Sequence, residues 1–460
     1  MMETGNKLAH SAITVSVVRK LLHRGARPRL AKILAKAYPV EVARLLSALK
    51  GPERSEAFGI LLEECDVSHV SSVLSEMSPR DSMALLEELE PHQIAKHLSE
   101  MPADDATLFA SRLPEPLAAE VLALMEAEPA ADVRELLEHE ARTAGRIMTP
   151  DYFALEEDRT IAEAVAALQK RSEEFEMVFY VYVIDKRDHL VGVVSLKKLL
   201  TTHPATQLKR IMEPDVISAK TTADQEEVSR LVAEYNLLAI PITDEEDKLV
   251  GIVTVDDVID VLQEEVAEDL LALAGVTAEE RVTTSAARSL RLRAPWLMLN
   301  LVTTFFPAYV ISRFDWAISM HAVLAALVTM PMGMGGNAAT QTVTVIIRGL
   351  ALDEVANVSQ VLLKQIIVGL GNGLINGLIG ATVVAIFFKD LWLGVVLAMA
   401  MVINMLVASL AGTLIPVTLK KLKIDPALAS SVFVTTCTDV GGSLSFLGIA
   451  SLLIKLLRAG

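Results

Sequence analysis

A carboxylate lies in the middle of the last long apolar run of this sequence. Five such runs occupy its second half, and Asp439, within Ala427 to Leu457, is the only Asp or Glu inside any of them. A run of ~20 apolar residues can cross a bilayer, and an acid at its centre costs ~2.5–3.5 kcal/mol on insertion. Asp439 is therefore expected to face a bundle interior or a water-filled path, where a carboxylate can serve a cation.

The second apolar run contains a cluster of residues that disfavour a helix. Pro331, Gly333, Gly335 and Gly336 follow one another closely, and both residue types are poor in a helix interior. We predict that they interrupt the helix. Backbone exposed at membrane depth is tolerated only where it is buried in protein or lines a cavity, so the cluster indicates a position beside a path.

Oxygen-bearing side chains recur at helical spacing near both features. They are Asn337, Gln341 and Thr344 in the second run, and Thr435, Asp439 and Ser443 in the last. One carboxylate among amide, hydroxyl and carbonyl oxygens suits a hard cation such as hydrated Mg²⁺, and no His, Cys or Met cluster favours a softer metal. The alternative is an ion pair between Asp439 and Lys364, which lies at the edge of the third run.

Charge is divided unevenly between a soluble head and an apolar tail. The 460 residues carry a net charge of −16, with 6 Asp/Glu and 12 Lys/Arg in residues 288–460 against 52 and 30 in residues 1–287. The acidity excludes a nucleic-acid partner, which needs a basic footprint. The head surface either solubilises the protein or is neutralised by multivalent cations. The sequence contains no nucleophile–base pair and no phosphate-binding loop that would indicate an enzyme.

The five apolar runs are predicted to be membrane spans. They are residues 294–311, 317–346, 361–388, 391–419 and 427–457. Basic residues mark cytoplasmic ends, and eight of them, including Arg288 and Lys420, fall on the side of the head against four on the other. We expect a cytoplasmic head and an external C-terminus. Gly369, Gly373 and Gly377 in the third run favour close helix packing, either within a subunit or at a dimer seam.

A repeat organises the first part of the head. LSEMSPRDSMALLEEL from Leu74 recurs as LSEMPADDATLFASRL from Leu98. Each copy reads as a short helix, a cap of Pro and Asp, and another helix. Stacked helical hairpins that form a small solenoid follow from this repeat.

A second repeat follows. IMTPD at Ile147 recurs as IMEPD at Ile211, and HLVGVVSLKKLL at His189 recurs as KLVGIVTVDDVI at Lys248. Alternating strands and helices between these anchors predict two compact α/β modules in tandem. The first copy carries about five extra residues near residues 173–179.

These modules resemble a pair of cystathionine-β-synthase (CBS) domains, which regulate enzymes, channels and transporters alike. The ending G-x-x-[ST]-x-x-D often holds a nucleotide ribose and phosphate in such domains. The second copy has Gly251, Thr254 and Asp257, whereas the first has Lys198 in place of the acid. After the second copy comes an acidic helix, predicted from Val255, with one apolar stripe.

The whole arrangement resembles the MgtE magnesium channel/transporter family. An acidic helical head, two CBS domains, an acidic connecting helix, five spans, P-x-G-x-G-G-N-x-x-x-Q-T in the second span and T-x-x-T-D-x-x-G in the fifth occur in the family's order. The resemblance implies a homodimer with one Mg²⁺-selective pore between its membrane domains. It also implies cytoplasmic acidic sites that bind Mg²⁺ and hold a connecting "plug" helix against the pore.

The resemblance assigns roles to particular residues. The pore and ion residues are Asp439, Asn337, Gly335, Gly336 and Thr435. The regulatory metal ligands are Asp224, Glu226, Asp257, Asp260, Glu265, Glu268, Asp269, Asp425, Asp104 and Asp105. ATP binds between the CBS domains in some relatives, and Thr254 with Asp257 would hold it here.

The predicted fold class is a multidomain membrane protein. It comprises a solenoid-like α-helical N domain (1–142), α/β CBS domains (143–206 and 207–266), a connecting plug helix (267–293) and an all-α membrane domain of five helices (294–460). The expected location is the bacterial inner membrane. Alternatives are a CBS-regulated transporter of Co²⁺, Ni²⁺ or Mn²⁺, a channel controlled by adenine nucleotides, a CBS-containing anion channel, and a membrane-tethered nucleotide sensor.

Overall fold

We analysed a computed structural model of the full chain. The structure describes residues 14–171, 178–277, 280, 282, 284–351, 354–355 and 357–459, without the side chains of residues 428–430 and 457–459. Most of the extra segment predicted near residues 173–179 lies outside the described residues. The chain divides into two compact units, residues 1–262 and 263–460.

Ten short helices open the part of the first unit that the structure describes. They are α1 (Val15–His23), α2 (Arg27–Leu34), α3 (Pro39–Ala48), α4 (Gly51–Glu64), α5 (Val67–Ser75), α6 (Pro79–Leu86), α7 (Pro91–Ser99), α8 (Ala103–Ala110), α9 (Glu115–Leu124) and α10 (Ala127–Glu138). Proline at a helix start is preorganised for the first turn, and α6 and α8 begin at the Pro/Asp caps that the repeat predicts. Alternate helices pack on one another, α5 on α7 and α7 on α9, which is the expected stacking.

The rest of the first unit contains two small α/β modules. The first holds α11 (Ala144–Ile147), β1 (Ala154–Glu156), α12 (Ile161–Lys170), β2 (Tyr180–Ile184), β3 (Leu190–Ser195), α13 (Leu196–Thr201) and a 3-10 turn (Leu208–Arg210). The second holds β4 (Ala219–Lys220), α14 (Gln225–Tyr235), β5 (Ala239–Thr243), β6 (Leu249–Thr254) and α15 (Val255–Leu273), which extends into the second unit.

The two modules share one topology. In each sheet the first strand is parallel to the second, and the second is antiparallel to the third. The hairpin turns of the two modules also meet, since the Leu190 amide donates to the Asp247 carbonyl and the Leu249 amide donates to the Asp188 carbonyl. The tandem repeat therefore folds as a symmetric pair.

The segment predicted as one connecting helix comprises parts of two helices. The acidic helix α15 ends at Leu273, and twelve residues separate it from the next helix, α16 (Ala286–Ser312). Gly275 has φ +70°, a conformation that other residues rarely adopt. A side chain at this position would also collide with the Trp296 indole. Farther along, Glu280 is 8 % exposed and accepts hydrogen bonds from the Arg293 guanidinium.

The remainder of the second unit is helical. Its elements are α17 (Asp315–Met320), α18 (Val323–Leu327), α19 (Thr329–Ala351), α20 (Val358–Phe388), α21 (Leu391–Lys421) and α22 (Pro426–Ala459). Four of the described helices, α16, α20, α21 and α22, are long and apolar enough to span a membrane. The second predicted span is divided among α17, α18 and α19, so a fifth span stays a prediction.

The predicted interruption at Pro331 to Gly336 is wrong. Helix α19 runs without a break from Thr329 to Ala351, and the chain instead breaks before it, at the ends of α17 and α18. Pro331 lies in the first turn of α19, where a missing amide hydrogen leaves no helical bond unmade. Of the glycines that follow, Gly335 lets another helix approach, since a Cβ atom at this position would collide with the Asn404 side chain.

The glycine stripe of the third run packs within the chain. A Cβ at Gly369 would lie 2.9 Å from the Met405 carbonyl oxygen, and one at Gly373 would lie 2.8 Å from Cα of Val402. Both contacts are with α21, so the glycines allow α20 and α21 to approach closely. Of the two predicted uses of this stripe, the structure shows the one within a subunit.

Candidate ion path and regulatory carboxylates

The Asp439 carboxylate has no partner in the described part of the chain. Asp439 lies on α22, one turn after Thr435, and is half-buried. It makes no hydrogen bond or salt bridge among the described residues. The alternative ion pair with Lys364 is therefore not formed, and Lys364 is exposed at the start of α20. The carboxylate remains available to a ligand from outside the chain.

Helix α19 carries a polar face that the described residues leave exposed. Asn337, Gln341 and Thr344 follow at helical spacing, and all three are exposed. The Thr344 hydroxyl donates to the Thr340 carbonyl of its own helix, 2.9 Å away. Helix α19 packs on α22, so this face and the Asp439 face belong to neighbouring helices. Gly335 is buried and Gly336 half-buried within α19, and neither forms a turn.

A side-chain amide on a third helix, α21, lies between α19 and α22. Asn404 on α21 is 1 % exposed, and its Nδ2 donates to the Pro331 carbonyl oxygen at 2.6 Å. Its neighbours on α22 are Gly441 and Gly442. Sequence reasoning missed this residue, although it is one of few amides in the apolar runs.

A cleft of about 750 Å³ lies away from the ion residues. It runs between α20 and α21, and its lining includes Leu378, Ala381, Ile386 and Val395. None of the residues predicted to carry the ion lines this cleft. Its apolar walls suit hydrocarbon and not a hydrated cation.

In the first unit, the structure brings together two predicted regulatory acids from distant positions. Asp104, in the first turn of α8, is near Asp257, in the first turn of α15. Burial raises the pKa of Asp104 well above its usual range, and the charges of Asp257 and Asp105 raise it further. One carboxylate oxygen of Asp104, Oδ1, is buried without a hydrogen-bond partner.

The pKa of Asp257 is also raised, to about 6. Burial is the main cause, with the negative charges of Asp256 and Asp105 adding to it. A hydrogen bond opposes these effects, since the Thr254 hydroxyl donates to Asp257 Oδ2 at 2.5 Å. Thr254 and Asp257, which are predicted to hold a nucleotide, are thus already in contact with each other.

The other predicted regulatory residues are more dispersed. Asp224 caps α14 by accepting a hydrogen bond from the Glu226 amide at 2.8 Å, and Asp425 accepts one from the Ala427 amide at the start of α22, also at 2.8 Å. Both caps are exposed and stabilise their helices. The remaining acids lie along α15: Asp260 and Asp269 are exposed, whereas Glu265 and Glu268 are half-buried.

A further group of acids was not predicted. Asp132 on α10 and Asp151 before β1 both have a raised pKa, mainly through burial, and the Glu128 charge raises both further. Asp132 and Asp151 lie in different segments of the chain, and no motif links them. Among the described residues, no group of three or more His, Cys, Asp or Glu side chains is arranged to hold a metal ion.

Together these features define the class of protein to which the chain belongs. The chain is a multidomain membrane protein in which a helical domain and a CBS pair precede apolar helices that carry oxygen ligands. Residues 17–142 match the MgtE intracellular N domain, residues 144–203 and 208–264 match the CBS domain, and residues 328–449 match the MgtE divalent cation transporter domain.

Relatives match most of the chain. A magnesium transporter MgtE of Thermus thermophilus is 35% identical over 450 residues, which are 95% of this chain and 98% of the relative. One of Enterococcus faecalis is 38% identical over 72% of this chain and 73% of its own, and one of Bacillus subtilis is 36% identical over 72% and 74%. This chain belongs to the MgtE family of divalent cation transporters, which confirms the resemblance seen in its motifs.

Two solved structures match the head. One is the cytosolic domain of the Mg²⁺ channel MgtE in complex with ATP, at 33% identity and a TM-score of 0.50, covering 54% of this chain and 100% of that one. The other is the soluble part of a magnesium transporter, at 30% identity and a TM-score of 0.50, covering 55% and 98%. Both likenesses support the observed helical domain and CBS pair.

Proposed function

We propose that this protein carries Mg²⁺ into a bacterial cell across the inner membrane, as a homodimer with one ion path. The observation that carries the proposal is the pair of uncovered polar faces, Asn337 to Thr344 on α19 and Thr435 to Asp439 on α22. Polar groups at membrane depth must face protein or water. A second copy placed against these helices would cover both faces and enclose a path between them.

The chemistry of the path favours a hydrated ion. Each copy would offer one charged group, Asp439, and neutral oxygens from Asn337 and Thr435. Mg²⁺ keeps several waters and needs only one or two carboxylates, so two Asp439 residues would balance its charge while amides and hydroxyls bind its water shell. The relatives named as magnesium transporters support this choice of ion.

The head would close the path when Mg²⁺ is plentiful. The buried, mutually repelling carboxylates of Asp104 and Asp257 favour occupancy by a cation, because its charge would replace the protons that their raised pKa values otherwise retain. Asp105 would join them. The acids of α15, the cap Asp425 and the pair Asp224 and Glu226 would bind Mg²⁺ more weakly, since they are more exposed.

A nucleotide would bind at the second CBS module. Thr254 and Asp257 present a hydroxyl and a carboxylate to a ribose, and the structural relative was solved with ATP. Asp257 would then take part in both nucleotide and metal binding. We regard ATP as a modulator of transport and not as a substrate, since the family is one of transporters.

The test replaces Asp439 with alanine. Asp439→Ala should abolish Mg²⁺ uptake into proteoliposomes and rescue of a strain that lacks magnesium transport, while the protein still inserts in the membrane. Asp315→Ala is the matched control, because Asp315 is an exposed acid at a helix start in the same unit, and it should transport normally. Wild-type uptake by Asp439→Ala would refute the path.

The same uptake assay distinguishes Mg²⁺ transport from the main alternative, transport of other divalent ions. Imidazole nitrogen ligands would favour metals such as Ni²⁺, whereas Mn²⁺ suits the same oxygen ligands as Mg²⁺. We expect excess Mg²⁺ to compete with each of them. Uptake of Co²⁺ that Mg²⁺ does not inhibit would identify the protein as a transporter of those metals.

A further inference from the structure

One buried amide joins the two helices that carry the proposed path. Asn404 lies on α21, which contributes none of the predicted ion residues. Its Nδ2 donates a hydrogen bond to the carbonyl of Pro331, in the first turn of α19. Its Oδ1 is buried and has no hydrogen-bond partner among the described residues. The Asn404 side chain is 1 % exposed, and only its Nδ2 forms a hydrogen bond among the described residues. Burying the unpaired Oδ1 in an apolar interior costs free energy of folding.

Three glycines make room for this amide. A Cβ at Gly335 of α19 would lie 2.0 Å from Asn404 Nδ2, a Cβ at Gly441 of α22 would lie 2.9 Å from Oδ1, and one at Gly442 would lie 2.8 Å from Nδ2. A Cβ at Gly442 would also lie 3.0 Å from the backbone nitrogen of Met332. The backbones of α19 and α22 therefore come close together beside the Asn404 side chain.

The contact lies next to the residues of the proposed path. Asn337 follows Gly335 by two residues, and Asp439 precedes Gly441 by two. A shift of the first turn of α19 would move Asn337 relative to Asp439. Since three glycines (Gly333, Gly335 and Gly336) closely follow Pro331, the start of α19 has weak helix propensity of its own, and the hydrogen bond from Asn404 of α21 offsets this weakness.

We propose that Asn404 is a positioning residue that holds the first turn of α19 against α22 and so sets the spacing of Asn337 and Asp439 across the ion path. The proposal rests on the proposed function, in that its consequence is measured as Mg²⁺ transport. It also has a consequence that does not depend on transport, namely the stability of the first turn of α19.

The decisive experiment separates the hydrogen bond from the packing. Asn404→Ala leaves a cavity, whereas Gly335→Ala places a methyl group where Nδ2 lies. The double variant restores the packing but not the bond to the Pro331 carbonyl. We expect each single variant to lower Mg²⁺ uptake at least tenfold. The double variant should recover the wild-type melting temperature in detergent and still transport at least tenfold more slowly.

A second measurement addresses the first turn directly. Hydrogen–deuterium exchange of the amides in residues 333–337 should become at least tenfold faster in the double variant than in the wild type. Asn376→Ala is the matched control, because the Asn376 amide bonds only to the Asn372 carbonyl of its own helix among the described residues. It should change neither exchange in this segment nor uptake.

The outcomes are distinguishable. Wild-type uptake by Asn404→Ala, or recovery of both uptake and exchange in the double variant, would show that Asn404 only fills space and would overturn the proposal. If the unaltered protein does not transport Mg²⁺, the proposed function fails. The exchange of residues 333–337 then still decides whether the amide anchors α19.

Discussion

Asp104 and Asp257 come from different repeats of the head, and the fold places their carboxyl groups within repelling distance of each other. Asp104 is in the first turn of a solenoid helix, and Asp257 is in the first turn of the helix that leaves the second CBS module. Burial raises the pKa of both carboxyl groups. Without a bound cation, negative charge on one of these carboxyl groups disfavours negative charge on the other.

The first prediction concerns pH in the absence of metal. The pKa of Asp257 rises from 3.8 to about 6, so the folded head binds a proton between those values that the unfolded chain does not. The free energy of unfolding should therefore fall as pH rises from about 4 to about 6. Asp257→Asn should remove much of this slope, an effect on the order of 1–3 kcal/mol.

The measurement is amide exchange of α8 in the full chain with EDTA, at pH values from 4.5 to 7.5 and corrected for the intrinsic exchange rate. Asp215→Asn, at an exposed acid of the same unit, is the control and should keep the wild-type slope. An identical slope in Asp257→Asn and the wild type would contradict the assignment.

The second prediction concerns Mg²⁺ at the same contact. Near pH 7, millimolar Mg²⁺ should slow amide exchange of α8, because a bound cation relieves the repulsion between Asp104 and Asp257. The effect should be several-fold in the wild type and should be lost in Asp104→Asn. Protection that persists unchanged in this variant would place the cation elsewhere.

The third prediction concerns gating. Neutralising the four acids Asp260, Glu265, Glu268 and Asp269 as amides should leave the path open at high internal Mg²⁺, because α15 would keep only Asp257 of its predicted metal ligands. Patch-clamp recording with internal Mg²⁺ varied measures this directly. Currents that still shut off at millimolar Mg²⁺ would exclude these four acids as the sensing ligands.

The fourth prediction concerns helix packing. Gly373→Ala should lower the melting temperature of the detergent-solubilised protein by several degrees, since the new Cβ would lie 2.8 Å from Cα of Val402 and backbone must move. Gly371→Ala is the control on the same helix, because its Cβ would meet nothing within 4 Å. Equal melting temperatures for the two variants would contradict the observed packing of α20 on α21.

The fifth prediction concerns the second copy. A cysteine in place of Gln341, in a background without Cys65 and Cys437, should be joined to its counterpart by a short bifunctional thiol reagent in native membranes. Phe387→Cys, at a residue that is 79% exposed near the end of α20, should yield far less linked dimer. Efficient linkage only of the Phe387→Cys variant would show that the subunit interface lies at α20 and not at α19.

Much of this architecture could be predicted from the sequence. Repeats and apolar runs are local signals, so the stacked helices, the two α/β modules and the membrane helices follow from periodicity. The intramembrane position of Asp439 also follows, because one acid in a long apolar run is evident without coordinates. The interruption of α19 was predicted wrongly, since propensity ranks glycine as a breaker and ignores which neighbour needs the space.

Only the tertiary structure decided which distant residues meet. It showed that Asp439 is unpaired among the described residues, that the third-run glycines pack on α21, and that Asn404 bonds to Pro331. It also joined Asp104 to Asp257 and Asp132 to Asp151. The physical reason is that a residue's type and period determine its helix and face, whereas its partners depend on how the helices pack, which the local sequence does not encode.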